Sequence, residues 1–332
     1  PTLKLAASTL AAPFTSGCGG ASAVAGPATT TTPVPVTQAV NSFGALAPET
    51  THCLIHVDAP TGAWSAGWQP DRQLFVGSAV KTFMLAQAVL DIASQRNALS
   101  GATQLPVSDA VRSPGSPVLQ YLDGTMSLRS VLEAMISHSD NTATDIALAS
   151  ATPARVRQLI SQAGLASTQI PDSTRLFFSY LAGAPAGTDL GWAGLNAVPD
   201  PNPKARAAIN DTQSMRSTAT DMVNWYRLTL GSSYFPNRAA LTEYKRILAM
   251  ADAISVVVPA DIAAYGKGGS IDWEGFHALS FPGRMVVDRV PVSFCFTYNW
   301  TGAEMSTGVP FELFAQRAGA VLQAVVDALR AG

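Results

Sequence analysis

Hydrophobic and polar positions follow two different rhythms along the chain. Between residues 77 and 164 apolar side chains recur at helical spacing, whereas 52–68 and 263–300 hold short β-branched and aromatic runs separated by turn residues. The helical part opens with GSAVKTFMLAQAVLDIASQR at 77–96, about five turns long. Its apolar residues Val80, Phe83, Met84, Leu85, Ala88, Val89, Leu90 and Ile92 go all round, which predicts a helix buried in the middle of a domain. Three more helices follow: 127–137 with Ser127 as N-cap, one opened by Ser139-Asp140-Asn141 and running to about 150, and one begun by Thr152-Pro153 and ended by Gly164. Helical patterning returns at 217–230, with Ser217 as N-cap, and at 238–251.

Strand patterning sits near the two ends. A short helix at 36–46 leads into HCLIHVDAP (52–60) and AWSAGW (63–68), a hairpin turned at Thr61-Gly62. Near the other end, AAYGKGGS (263–270), FHALSF (276–281) and VPVSFCFTYNW (290–300) predict an antiparallel meander with turns at 272–275 and at Pro282-Gly283. An amphipathic helix at 310–330 is placed to cover one sheet face. The expected fold class is α+β in two lobes within a catalytic domain at 36–332. An antiparallel five-stranded sheet flanked by helices comes from 36–76 and 215–332, and an all-α lobe from 77–214, with the site in the cleft between them. Residues 108–124 and 170–214 read as loops, and a loop as long as the second is expected to carry function.

Composition narrows the classes. Of 332 residues 47% are hydrophobic and 13% charged, enough for a sizeable core, and a net charge of −2 argues against a nucleic-acid partner. No run of 18 apolar residues suggests a membrane-spanning helix. Residues 1–35, rich in Ala, Thr, Pro and Gly, read as the remnant of an export signal followed by a flexible tether. Lys4, the mild apolar run to Phe14 and the small residues before Cys18 suggest a lipid anchor at Cys18 and a periplasmic or secreted protein. The three cysteines show no CxxC spacing and the four histidines no zinc pattern, so neither metal nor cofactor is expected. Cys53 and Cys295 are read as two buried thiols in preference to a disulfide.

The chemistry starts at the opening helix. Ser78 and Lys81 share a face of its first turn, and a lysine on an otherwise apolar helix calls for a reason. Either Ser78 is a cap and Lys81 snorkels to solvent, or Ser78 is a nucleophile and Lys81 its proton acceptor. Two further signatures follow in order, Ser139-Asp140-Asn141 at a helix start and Lys267-Gly268-Gly269 on a strand. Each is weak alone; together, in two helix N-termini and one strand, they favour the nucleophile.

With these motifs and their flanks GWQPDRQLFVGSAVK, MSLRSVLEAMISHSDNTATDIAL and YGKGGS, the sequence resembles the serine β-lactamases and penicillin-recognising transpeptidases, closest to the class A pattern. The resemblance implies that Ser78 is acylated, Lys81 is the base and Ser139 relays a proton to the departing atom. It implies as well that Asn141 holds the substrate amide, Lys267 attracts a carboxylate, and the N–H groups of Ser78 and Ser270, beside Gly269, form an oxyanion hole. Gly268 stands where the family usually has Thr or Ser, and no arginine follows the third motif, where 271–276 reads IDWEGF. Arg216 is read as a surface ion pair.

The loop departs further. TRLFF (174–178) resembles the start of the class A loop that carries the deacylating glutamate, and WAGLNAVP (192–199) its end. The glutamate position falls on Tyr180 in one register and on Trp192 in the other, and Asn196 matches the water-holding asparagine. No glutamate lies between Glu133 and Glu243, and Asp189 reads as a turn residue rather than a substitute base. The resemblance therefore implies a serine hydrolase acting on β-lactams or related amides and esters with atypical deacylation, expected to be monomeric. The alternatives are a D,D-peptidase-type penicillin-binding protein acting on peptidoglycan-like stems, and a non-enzymatic β-lactam sensor.

Overall fold

Two prolines start the first helix of the computed structural model, which describes residues 31–302 and 308–331. The leader and Cys18 lie outside the described residues. Helix α1 (Val34–Gly44) carries Pro35 in its first turn, where a missing N–H costs nothing, so it begins two residues earlier than the pattern suggests. The hairpin of β1 (Thr51–Val57) and β2 (Trp64–Trp68) follows, then the two-residue β3 (Leu74–Phe75), a 3₁₀ turn (Gly77–Val80) and α2 (Lys81–Ala93). A small ribbon of β4 (Gln104–Val107) and β5 (Gly124–Ser127) brackets the 108–123 loop and leads into α3 (Leu128–Ser137), α4 (Asn141–Ala151) and α5 (Pro153–Gln162). The long loop contains α6 (Thr174–Leu181) and α7 (Gly191–Asn196) before β6 (Arg216–Ser217), α8 (Ala219–Thr229) and α9 (Arg238–Leu248). Strands β7 (Ala263–Gly266), β8 (Gly269–Trp273), β9 (Phe276–Val287) and β10 (Val290–Thr301) precede the long α10 (Val309–Ala331).

The antiparallel sheet runs β2-β1-β10-β9, with β7 and β8 sharing the far edge, so the expected five positions are filled by six strands. Both edge strands keep one register, Gly266 opposite Gly283 and Gly269 opposite Ser280, which places Lys267 opposite Pro282. Lys267 N donates to Pro282 O at 3.3 Å, but proline has no N–H to return the bond, and the ladder is interrupted there. The Pro282-Gly283 turn expected from sequence is therefore corrected: both residues lie inside β9. The chain reverses instead at Asp288 and Arg289, whose φ values of 47° and 74° give the left-handed pair that matches strand twist.

One face of the sheet packs on α1 and α10, where Phe43 sits between Phe296 and Phe314. The other meets α8 and, beyond it, the buried α2, whose partners are α4, α5 and α9. Cys53 belongs to the first cluster and Cys295 to the second, on opposite sheet faces; both are free, and burial pushes each thiol up to about 12. The cap of α8 is Thr218, whose Oγ1 accepts from Asp221 N at 3.0 Å, in place of the expected Ser217, which pairs in β6 with Leu74.

Strand β8 crosses directly over the 3₁₀ turn. A Cβ on Gly269 would lie 2.1 Å from Val76 O and 2.7 Å from Ser78 N, and one on Gly77 would lie 2.9 Å from Ser270 N. Gly77 also needs its φ of 52°. Gly269→Ala is expected to cost about 1–3 kcal/mol by forcing strand and turn apart; a lowered urea midpoint checks it, and an unchanged midpoint would contradict the close approach.

Candidate active site

Ser78 lies in the 3₁₀ turn rather than in a regular helix, half-buried beneath β8, and its turn is tied down by Val76 N donating to Met215 O at 2.8 Å. Lys81, three residues on, is the first residue of α2 and is 1% exposed. It does not snorkel. Its Nζ donates to Ser139 O at 2.5 Å, to Asn141 Oδ1 at 2.8 Å and to Ser139 Oγ at 3.3 Å, so the second motif satisfies all three ammonium protons. Burial first, and the neighbouring Lys267 second, hold the Lys81 amine well below the usual lysine range, with Asp140 and Asp145 opposing. Among the described residues no hydrogen bond joins Lys81 Nζ to Ser78 Oγ.

The second motif works because its middle residue is a buried cap. Asp140 Oδ1 accepts from Ala143 N at 2.8 Å and starts α4, while Oδ2 accepts from Val118 N and Leu119 N at 2.9 and 2.8 Å. This draws the 113–119 loop against the site, where Asn141 Nδ2 donates to Pro114 O at 2.6 Å. Ser139 takes a φ of 58°, a left-handed backbone that turns its carbonyl and hydroxyl toward Lys81.

Lys267 reaches the site from the broken edge of the sheet. It is 2% exposed, its Nζ donates to Gly268 O at 2.7 Å, and burial pushes its pKa down to about 8, with Asp252 pulling the other way. A cleft of about 410 Å³ joins Ser139, Lys267, Gly269 and Ser270. Ser270 is exposed there, its N–H beside Gly77. Gly268 has a steric reason to lack a side chain: a Cβ would stand 2.6 Å from Ala253 Cβ, in the 3₁₀ segment Asp252–Val256.

The loop residues are placed differently. Asp145, one helical turn beyond Asn141 on α4, is buried and accepts from Thr174 N and Arg175 N at 2.6 and 3.0 Å, anchoring the start of α6. Burial raises it to about 6. Sequence reasoning missed this residue, although its i+4 spacing from Asn141 was a usable signal. Tyr180 ends up half-buried on α6 with the Arg206 guanidinium 4.3 Å over its ring, and Arg206 also donates to Tyr180 O at 2.7 Å. Trp192 is half-buried on α7 and Asn196 is exposed at its end; no hydrogen bond among the described residues ties either side chain to the Lys81 cluster. Asp189 is held in a two-point ion pair by Arg175 and accepts from Gly191 N at 2.8 Å. Arg216 pairs with Asp211 at 2.9 Å and with Gln169. No group of three or more His, Cys, Asp or Glu among the described residues could hold a metal ion.

The structure resembles a β-lactamase from Chitinophaga pinensis (TM-score 0.67, 19% identity, 89% of this chain and 99% of that one) and another from Sphaerobacter thermophilus (0.66, 18%, 89% and 96%). It also resembles PBP-A (0.62, 14%, 88% and 96%). At these identities the likeness carries the fold. No curated protein matches by sequence. Residues 35–248, more than half of the chain, match the β-lactamase enzyme family. A match of that extent decides membership: the chain belongs to the β-lactamase enzyme family.

Proposed function

We propose that the protein is a serine hydrolase that opens β-lactams or related amides and esters through an acyl-enzyme on Ser78, and that this intermediate is released slowly. The observation that carries the reading is the buried Lys81 amine, depressed by its surroundings and hydrogen-bonded to Ser139 and Asn141. In its neutral form Lys81 takes the Ser78 proton as Oγ attacks the carbonyl carbon. The N–H groups of Ser78 and Ser270 receive the developing oxyanion, and Ser139, within reach of Lys81 Nζ, passes the proton to the departing atom as its bond to carbon breaks. Lys267 draws an anionic group of the substrate into the cleft. The export-signal character of residues 1–35 fits action outside the cytoplasm.

Slow release follows from the loop. It contains no glutamate, and its one candidate substitute, Asp189, is committed to Arg175. This favours a second reading in parallel, a D,D-peptidase-type enzyme that β-lactams trap. One of the solved structures it resembles is a PBP-A mutant described as an acyl-enzyme complex with penicillin G.

Incubation with a chromogenic cephalosporin, followed by product release and intact mass, tests both. The expected result is an adduct on Ser78 that decays slowly, with acylation lowered by about 10⁴-fold or more in Ser78→Ala. Rapid multiple turnover would refute slow release, and an adduct formed equally by Ser78→Ala would refute the nucleophile. The pH dependence is also defined. Acylation needs neutral Lys81, so its rate rises as that amine loses its proton; it needs charged Lys267, so it falls as pH passes about 8. Lys267→Arg, which keeps its charge, is expected to remove the alkaline limb, and a limb left in place would assign it to another group.

A further inference from the structure

Lys81 opens α2, and at the other end of that helix a chamber of about 670 Å³ lies between the last turns of α2 and the first turn of α9. The helical rise sets Ala93 about 18 Å along the axis from Lys81, and the chamber shares no lining residue with the cleft of Ser139, Lys267 and Ser270. Its α2 wall is Val89, Ile92 and Ala93, one stripe at i, i+3 and i+4. Small side chains face that stripe from α9, among them Ala239 and Ala240, and they do not fill the space, so Ile92 and Ala93 stay half-buried. The mouth is cationic. Arg129 at the start of α3 and Arg238 at the start of α9 both line the chamber, and the one acidic side chain lining it among the described residues, Glu243, is already shared. Glu243 accepts from Arg129 Nε at 3.1 Å and from Arg246 Nε at 2.8 Å.

Arg238 is the unmatched charge. It is exposed and makes no hydrogen bond or ion pair among the described residues. It also stands in the first turn of α9, where Asn237 Oδ1 accepts from Ala240 N at 2.9 Å and no hydrogen bond among the described residues engages the N–H of Arg238 or Ala239. Apolar walls therefore end at a free guanidinium beside the positive end of a helix. We propose that this chamber is a binding site for a small amphiphilic carboxylate, with its apolar tail against Val89, Ile92 and Ala93 and its head on Arg238. Charge complementarity sets the polarity of the occupant: a carboxylate can take a guanidinium at two points, whereas an ammonium head would face two arginines. A chamber of this size accommodates a ligand of about a dozen non-hydrogen atoms. The site does not depend on the acylation reading, since none of its residues takes part in that chemistry.

Calorimetric titration of the full chain with decanoate and with decylamine, which share a tail and differ in head charge, tests this below the concentrations at which either forms micelles. Decanoate is expected to bind once per chain with a dissociation constant of about 1 mM or below, about tenfold or more tighter than decylamine. Arg238→Glu is expected to reverse that order. Ala239→Trp, which fills the chamber from an exposed position, is expected to weaken decanoate by about tenfold or more. Both substitutions are at exposed positions, and an unchanged melting temperature without ligand confirms that the variants fold. Decanoate binding that survives either variant unchanged, as an anion held at Lys267 in the catalytic cleft would, overturns the site. Equal binding of the two amphiphiles, or no binding of decanoate at about 1 mM, overturns it as well.

Discussion

Two lysine side chains sit almost fully buried as neighbours, Lys81 from the start of α2 and Lys267 from the sheet edge, and the arrangement of the groups near them answers that constraint. Buried ammonium groups repel each other and lose hydration, so each must find acceptors or lose its proton. Lys81 finds three, all from the Ser139-Asp140-Asn141 turn. Those acceptors are in position because Asp140 caps α4 and holds the 113–119 loop, whose Pro114 carbonyl orients Asn141. Beneath them Ser113, Ser116, Thr142 and Thr174 form a buried hydroxyl network with bonds of 2.7–2.9 Å, the kind of polar interior that is stable only when fully satisfied. Burial, with Lys267 beside it, holds the Lys81 amine well below the usual lysine range, which suits the role of base proposed above.

The same network reaches into the long loop and explains its order. Asp145, on the α4 face that carries Asn141, receives the first N–H groups of α6, and Arg175 then pins Asp189. At the other end Arg206 stacks on Tyr180 and donates to the carbonyls of residues 180, 183 and 184, while Trp273 Nε1 donates to Arg206 O at 3.0 Å. The loop is thus a scaffolded segment whose polar groups are used in holding its own shape. Its Asp172, Asp189 and Asp211 are engaged in ion pairs with Arg157, Arg175 and Arg216, and it contains no glutamate.

Much of the architecture was legible in one dimension. The all-round apolar face of α2, the cap at Ser127, the opening of α4 by Ser139-Asp140-Asn141, the β1–β2 hairpin and the final helix are local signals, each set by residues within a few positions of one another. The three motifs were legible for the same reason, since short spacings put Ser78 with Lys81 and Ser139 with Asn141. What failed was what depends on a partner strand or helix. Pro282-Gly283 reads as a turn, yet it belongs inside β9 because its missing donor faces a place where the edge ladder breaks. Helices α6 and α7 lie in a weakly periodic stretch; α6 is held by Asp145 and Arg206 from elsewhere, and the start of α7 by Asp189, which Arg175 of α6 pairs.

Sequence by itself determined the family, the order of its three motifs and the lack of a loop glutamate, because these are matters of which residues follow which. Tertiary structure alone decided that Lys81 is buried and bonded to the second motif, that Gly77 and Gly269 let strand and 3₁₀ turn touch, and that Gly268 packs against Ala253 where no side chain fits. Charge state, close approach and cavity shape all arise between segments dozens to hundreds of residues apart. They depend on distance in space, which a single chain of letters does not contain.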